Sequence, residues 1–146
     1  MATILLCSGP NLNLLGEREP HYYGTRNLDE LVEIAREAAA KAGHELEHVQ
    51  TNHEGGLVDA IHDARGRCAA IVINAAAFSH YAYSIADALQ MFDGPKVELH
   101  LSNPHAREEW RHVSVLTPVV DGVVAGFRAA GYRLAIEAAA ALLEER

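Results

Sequence analysis

The sequence of 146 residues contains few lysines and few cysteines, and it has no long apolar run. The two lysines, Lys41 and Lys96, lie at the polar end of a helical pattern and at the start of a strand pattern, which argues against a Schiff-base mechanism. Cys7 and Cys68 lie in apolar runs, which favours buried free thiols over a disulfide scaffold. No apolar stretch reaches the roughly 18 residues of a membrane span, and no secretory leader opens the chain. We therefore expect a cytoplasmic protein.

Positive charge is also scarce. The chain has 12 Lys+Arg against 20 Asp+Glu, a net charge of −8, and no basic run, which argues against a nucleic-acid partner. The G-x-G-x-x-G, P-loop and G-x-S-x-G patterns are missing, so the usual signals of nucleotide binding and of serine hydrolases are lacking. The hydrophobic content of 49% and the length predict a single domain over 1–146 with its own core.

Short apolar runs alternate with helical patterns along the chain. We predict strands at 3–8, 44–51, 69–74, 96–102 and, more weakly, 112–116. We predict helices at 28–42, 55–64 and 81–90, and a long final helix at 119–144. This alternation indicates an α/β domain with a parallel sheet. About five strands favour a flavodoxin-like doubly wound fold with strand order 2-1-3-4-5.

Polar side chains follow three of these strands. Ligands of doubly wound sheets bind at the carboxyl ends of the strands, beside the point where the strand order reverses. Asn11 follows the first strand, Asn74 ends the third, and His100 and Ser102 end the fourth. We therefore expect these four side chains to meet in one pocket.

The strand K-V-E-L-H-L-S alternates apolar and polar residues, so Glu98, His100 and Ser102 share one face. A buried carboxylate and imidazole are costly unless they are paired. Glu98 can hydrogen-bond His100, fix its tautomer and favour its protonated form, an arrangement typical of a general acid. The alternative is an edge strand with one solvated face.

The stretch 9–27 is longer than an ordinary loop, and its part at about 16–27 resembles a lid over a site. It contains Arg18, Tyr22, Tyr23 and Arg26. An arginine close to a tyrosine favours the tyrosinate, which could act as a base. The alternative is a mobile surface loop whose tyrosines cover the core.

Two charged segments have alternative interpretations. Arg107 and Arg111 could bind a substrate carboxylate through their forked guanidinium groups, or belong to a solvated turn. His44, Glu45 and His48 fit the zinc pattern H-E-x-x-H, which requires a helix, whereas the surrounding residues alternate as in a strand. A zinc hydrolase is therefore the rival enzyme class.

Five strings together resemble the type II 3-dehydroquinate dehydratases over nearly the whole chain: GPNLNLLGEREPHYYG, TNHEGGLVDAIHDA, INAAAFSHYAYSIADAL, ELHLSNPHAREEWRHVSVL and GVVAGFRAAGYRLAIEA. The resemblance implies a flavodoxin-like fold and an assembly of twelve subunits arranged as trimers. It implies dehydration of 3-dehydroquinate to 3-dehydroshikimate without metal, cofactor or Schiff base. Whether this serves aromatic biosynthesis by the shikimate pathway or quinate breakdown stays open.

The resemblance also implies residue roles. The base falls on Tyr23, its activating arginine on Arg18, and the general acid on His100 with Glu98 as orienting carboxylate. The asparagine on the oxyanion side falls on Asn11. The substrate-binding positions fall on Asn74, His80, Leu101, Ser102 and Arg111, with Asp87 reaching in from a neighbouring subunit. Arg107 matches a second arginine of the same segment.

The chain departs from the family pattern in its third string. Ala75 and Ala76 replace the usual Pro-Gly, and Ala86 replaces an arginine that commonly precedes the aspartate. We expect these changes to affect the shape of that loop and the contact near Asp87. The non-enzyme alternative is a binding module on the same fold; a signalling receiver would need acidic residues at strand ends where this chain has asparagines.

Overall fold

The computed structural model describes residues 1–17 and 19–146. Five parallel strands form one sheet in the order β2-β1-β3-β4-β5. Their bounds are β1 Thr3–Ser8, β2 Glu45–Gln50, β3 Ala70–Asn74, β4 Lys96–His100 and β5 Gly122–Ala125. The strand order and the parallel pairing confirm the predicted flavodoxin-like sheet.

Helices cover both faces of the sheet. Their bounds are α1 Pro20–Tyr23, α2 Leu28–Lys41, α3 Glu54–Ala64, α4 Tyr83–Gln90 and α5 Ala129–Glu144. The start of α2 is fixed by a capping box, in which Glu30 N donates to Asn27 Oδ1 at 2.9 Å and Asn27 N donates to Glu30 Oε1 at 3.4 Å. None of the described helices is long and apolar enough to cross a membrane.

Side chains of β1 divide between two cores because successive residues of a strand point to opposite faces. Ile4 and Leu6 join the core under α2 and α5, whereas Leu5 and Cys7 join the core under α3 and α4. Both cysteines are buried free thiols, as predicted, and burial raises the pKa of Cys7 to about 12.

The C-terminal third differs from the prediction. The segment 112–116 is not a strand, and the predicted long helix is divided into β5 and the shorter α5. The β-branched pair Val123 and Val124 pairs with β4 instead of continuing the helical pattern. Gly126, at φ 92°, makes the turn that separates the two elements.

Candidate active site

A cleft of about 600 Å³ opens at the carboxyl ends of β1, β3 and β4, beside the point where the strand order reverses. It contains most of the residues that the sequence singled out: Asn11, Tyr23, Asn74, His80, His100, Leu101, Ser102 and Arg111. Asp87 is exposed on α4 and does not line this cleft. Arg18 lies outside the described residues. Asn11, Asn74, His100 and Ser102 thus meet in one pocket, as expected from the strand ends.

Gly9 brings the turns after β1 and β3 against each other. Its backbone N–H donates to Asn74 O at 2.8 Å, and a Cβ at this position would lie 2.4 Å from Ala75 O. The next turn residue, Asn11, has φ 69°, and its N–H donates to Asn52 Oδ1 at 3.0 Å. Asparagine tolerates this left-handed conformation better than most residues. The close approach of the backbones after β1 and β3 therefore fixes the position of the two turns that border the cleft.

Asn74 is held from below by a buried tyrosine. Its Nδ2 donates to the Tyr132 hydroxyl at 3.2 Å, and its Oδ1 accepts from Ala76 N at 3.2 Å. Tyr132 is fully buried, and burial raises its pKa to about 12, so its hydroxyl is protonated at neutral pH. Ala76 has φ 51°, a conformation that costs a non-glycine residue about 1–2 kcal/mol. The turn after β3 therefore has a strained backbone at Ala76.

His100 and Glu98 form a buried pair at the end of β4. The His100 Nε2 lies 2.5 Å from Glu98 Oε2, and Thr117 Oγ1 donates to Glu98 Oε1 at 2.6 Å. Glu98 is only 1% exposed. Burial alone would raise the pKa of Glu98, but hydrogen bonds from His100 and Thr117 outweigh it and hold this pKa below its ordinary value. The carboxylate therefore stays charged against the imidazole, and the alternative of a solvated edge strand is wrong.

His80 stacks beside this pair. Its ring centroid lies 6.3 Å from that of His100, and its Nδ1 donates to Val113 O at 2.8 Å. Partial burial lowers the pKa of His80 below its ordinary value. A neutral His80 with a proton on Nδ1 leaves its Nε2 as an acceptor.

Tyr23 faces the site from the end of α1 and contacts an arginine that the sequence did not assign to it. Arg107 Nη1 donates to the Tyr23 hydroxyl at 2.7 Å and to Ser102 Oγ at 3.2 Å. The Arg107 guanidinium also lies 4.2 Å from the centroid of the Tyr22 ring. No sequence signal indicated this contact, because Arg107 and Tyr23 lie 84 positions apart along the chain.

Arg107 and Arg111 both line the cleft. The Arg107 side chain is 4% exposed, and Arg111 Nε donates to Glu108 Oε2 at 3.1 Å while its guanidinium covers the Trp110 ring. These contacts exclude the alternative of a solvated turn for the two guanidinium groups. Two fixed cations at one cleft are suited to an anionic ligand.

The H-E-x-x-H pattern does not form the helical zinc geometry. His48 lies on β2 and contacts Ser8 Oγ through its Nε2 at 2.9 Å, whereas His44 Nδ1 accepts from Ala2 N at 3.2 Å. In extended chain, residues four apart share a face but lie about 13 Å from each other, too far to bind one metal ion. Among the described residues, no group of three or more histidine, cysteine or acidic side chains is placed to hold a metal ion.

The site contains a tyrosine beside an arginine and an imidazole beside a carboxylate, at the ligand-binding edge of a doubly wound α/β sheet. Side chains of these types are the ones that acid–base chemistry uses. The model of the class II dehydroquinase family matches residues 2–140. The chain belongs to this family.

Relatives cover nearly the whole chain. "3-Dehydroquinate dehydratase 2" of Pseudomonas putida is 49% identical over 143 residues, which are 98% of this chain and 96% of the relative. "Catabolic 3-dehydroquinase 2" of Aspergillus flavus is 48% identical over 137 residues, 94% of this chain and 91% of the relative. The type II dehydroquinase structure from Propionibacterium acnes has a TM-score of 0.90 at 42% identity and covers 97% of both chains.

Proposed function

We propose that this chain dehydrates 3-dehydroquinate to 3-dehydroshikimate. The observation that carries the proposal is that Tyr23, Arg107 and His100 line the same cleft, while Glu98 holds His100 from behind it. Relatives with nearly the same length bear the names of this activity. One of those names is that of a catabolic enzyme. The proposal therefore covers the same dehydration in either route, the shikimate pathway or quinate breakdown.

The elimination begins at a carbon beside the substrate's ketone. Tyr23, as tyrosinate, takes a proton from this carbon, and Arg107, which donates to the Tyr23 oxygen at 2.7 Å, is proposed to activate it. Arg18 is proposed to share this activating role, as the family resemblance implies. The electron pair left behind forms an enolate, which donors near Asn11 stabilise.

The second half of the reaction expels the hydroxyl group one carbon further along the ring. His100, oriented by Glu98, gives a proton to this hydroxyl, which leaves as water while the enolate collapses to a conjugated enone. Arg111 and Ser102 hold the substrate carboxylate, and Asn74, His80 and Leu101 complete the walls around the ring. Each proton and electron pair is thus accounted for by side chains of the chain.

The proposed route needs neither a Schiff base nor a metal or cofactor. Both lysines lie away from the cleft: Lys41 ends α2, and Lys96 begins β4 at the opposite edge of the sheet, where its Nζ donates to Phe92 O at 2.8 Å. Neither lysine is therefore placed to form a covalent imine with a substrate bound in the cleft.

We also propose that the chain works in the cytoplasm as a homo-oligomer, a dodecamer built as a tetramer of trimers. In this assembly the exposed Asp87 of one copy completes the cleft of its neighbour. Light scattering after size-exclusion chromatography tests the assembly; a monomer that turns over substrate at full rate contradicts the proposed role of Asp87.

The activity is tested by mixing the purified chain with 3-dehydroquinate and following the ultraviolet absorbance of the conjugated enone. We expect a steady rise that neither a chelator nor borohydride changes. Loss of the rate with a chelator would contradict the metal-free route, and loss with borohydride would contradict the lysine-free route. A folded protein that gives no rise contradicts the proposed activity.

A further inference from the structure

The carboxylate that orients His100 is itself held from the side away from the cleft. We infer that Thr117 is a positioning residue that acts on the acid His100 through Glu98, assisted by Ser114, an inference that rests on the proposed function. Thr117 begins a short 3-10 turn, Thr117–Val119, between β4 and β5. The residues of this turn do not line the cleft. The Thr117 hydroxyl approaches Glu98 from the side of the molecular surface.

The hydrogen-bond geometry divides the two carboxylate oxygens between two partners. Oε2 lies 2.5 Å from His100 Nε2, and Oε1 accepts from Thr117 Oγ1 at 2.6 Å. With one oxygen held on each side, the carboxylate cannot rotate without losing a hydrogen bond. The plane of the carboxylate, and with it the angle at which His100 is held, is therefore fixed by Thr117.

Ser114 supports the same carboxylate from the neighbouring segment. Its hydroxyl helps to hold the pKa of Glu98 low, and its Oγ accepts from Leu116 N at 3.1 Å. A nearly fully buried carboxylate is unfavourable unless donors surround it. Hydroxyl donors carry no charge. They therefore stabilise the Glu98 carboxylate without neutralising the charge that interacts with His100.

Other groups around the pair are charged or titratable as well. His80 and Arg111 face the pair from the cleft side, and His105 and His112 line the cavity between Glu98 and the surface. None of their side chains has a hydrogen bond to Glu98 among the contacts of the described residues. The hydroxyl of Thr117 is therefore the contact whose removal acts on Glu98 most directly.

The test replaces the hydroxyl by a methyl group of similar size. In Thr117→Val we expect kcat to fall about tenfold or more, because a hydrogen bond to a charged group is lost, while KM changes little. The acid limb of the kcat profile moves to higher pH, because Glu98 without this donor takes up a proton more readily. Thr117→Ser keeps the hydroxyl and should retain nearly native kcat.

Thr3→Val is the matched control, since Thr3 begins β1 at the opposite edge of the sheet. A Thr117→Val variant with native kcat and native pH profile would overturn the inference. Equal losses in the Val and Ser variants, accompanied by equal losses in unfolding temperature, would also overturn it, because they would indicate packing alone.

A readout that does not depend on turnover separates this inference from the proposed function. The ring ¹⁵N chemical shifts of His100, assigned with a His100→Gln variant, report its tautomer and its contact with Glu98. We expect these shifts to change in Thr117→Val and to stay native in Thr117→Ser and Thr3→Val. Unchanged shifts in Thr117→Val overturn the positioning role, whereas changed shifts in a chain without dehydratase activity overturn only the proposed function.

Discussion

Two adjacent tyrosines of α1 differ in what their polar ends contact. Tyr23 is 8% exposed, lines the cleft and accepts a hydrogen bond from Arg107, whereas Tyr22 offers the face of its ring to the same guanidinium. Proton transfer requires the hydroxyl, whereas a cation–π contact with the ring face does not. The two residues therefore form a natural pair for testing the proposed base.

We predict that Tyr23→Phe lowers kcat by at least about a hundredfold, since it removes the group that takes the proton. Tyr22→Phe keeps the ring over Arg107 and should retain nearly native kcat. Steady-state kinetics with 3-dehydroquinate checks both variants. Near-native turnover in Tyr23→Phe would remove this residue from the role of base.

Tyr132 acts at the same scale on Asn74. In Tyr132→Phe the buried amide of Asn74 loses the hydroxyl to which it donates. We predict a loss of about 1–3 kcal/mol in the free energy of unfolding, measured by urea denaturation. A variant as stable as the native chain would show that Asn74 finds another partner.

At the scale of elements, the turns after β1 and β3 are fixed by contact between their backbones. Gly9→Ala places a Cβ 2.4 Å from Ala75 O, so one of the two turns must move. We predict a loss of about 3 kcal/mol in the free energy of unfolding, together with a raised KM. Urea denaturation and steady-state kinetics measure the two effects.

Gly55→Ala is the control for this substitution. Gly55 lies in the first turn of α3, and a Cβ there meets no atom within 4 Å. Alanine is the better helix former, so this variant should be neutral or more stable by up to about 1 kcal/mol. Equal losses in the two variants would show that the clash at Gly9 is not the cause.

The elements that the sequence predicted well are those whose pattern is local. The apolar run of β1 and the capped, periodic helix α2 fix their own structure, and the alternation of strands and helices predicts the sheet order. The β5 strand was missed because Val123 and Val124 stand in an alanine-rich stretch, and only their pairing with β4 distinguishes them from the helix that follows.

In the site, too, only the residues whose positions follow from the strands could be predicted. Asn11, Asn74, His100 and Ser102 follow strands, so the sheet itself brings them together. The contact of Arg107 with Tyr23 could not be predicted, because it depends on where α1 lies relative to the segment that follows β4. The same holds for Thr117, whose partner Glu98 is reached only through the irregular segment before β5.

At the scale of the whole molecule, buried titratable groups make stability depend on pH. Burial lowers the pKa of both His48 and His80 in the folded chain, so the unfolded chain binds more protons below the ordinary value of 6.5. Their contribution is fully present above this pH and is lost as the pH falls through it towards the folded values. The lowered pKa of Glu98 adds a second loss below its ordinary value of 4.5.

We therefore predict that the free energy of unfolding falls when the pH is lowered from 7.5 to about 5.5, within the range in which histidine titrates. His48→Gln should weaken this dependence, because it removes one of the two histidines while leaving the cleft unchanged. Urea denaturation at the two pH values is the measurement. A free energy of unfolding that rises on acidification would contradict the lowered pKa values of His48 and His80.

We propose above that the chain removes water from 3-dehydroquinate with Tyr23 as the base and His100 as the acid. The most direct measurement is proton NMR of 3-dehydroquinate with the native chain, with Tyr23→Phe and with His100→Ala. We predict that the signal of the vinyl proton of 3-dehydroshikimate grows with the native chain and is nearly lost with either variant. A native chain that leaves the substrate unchanged, or either variant with near-native conversion, would contradict it.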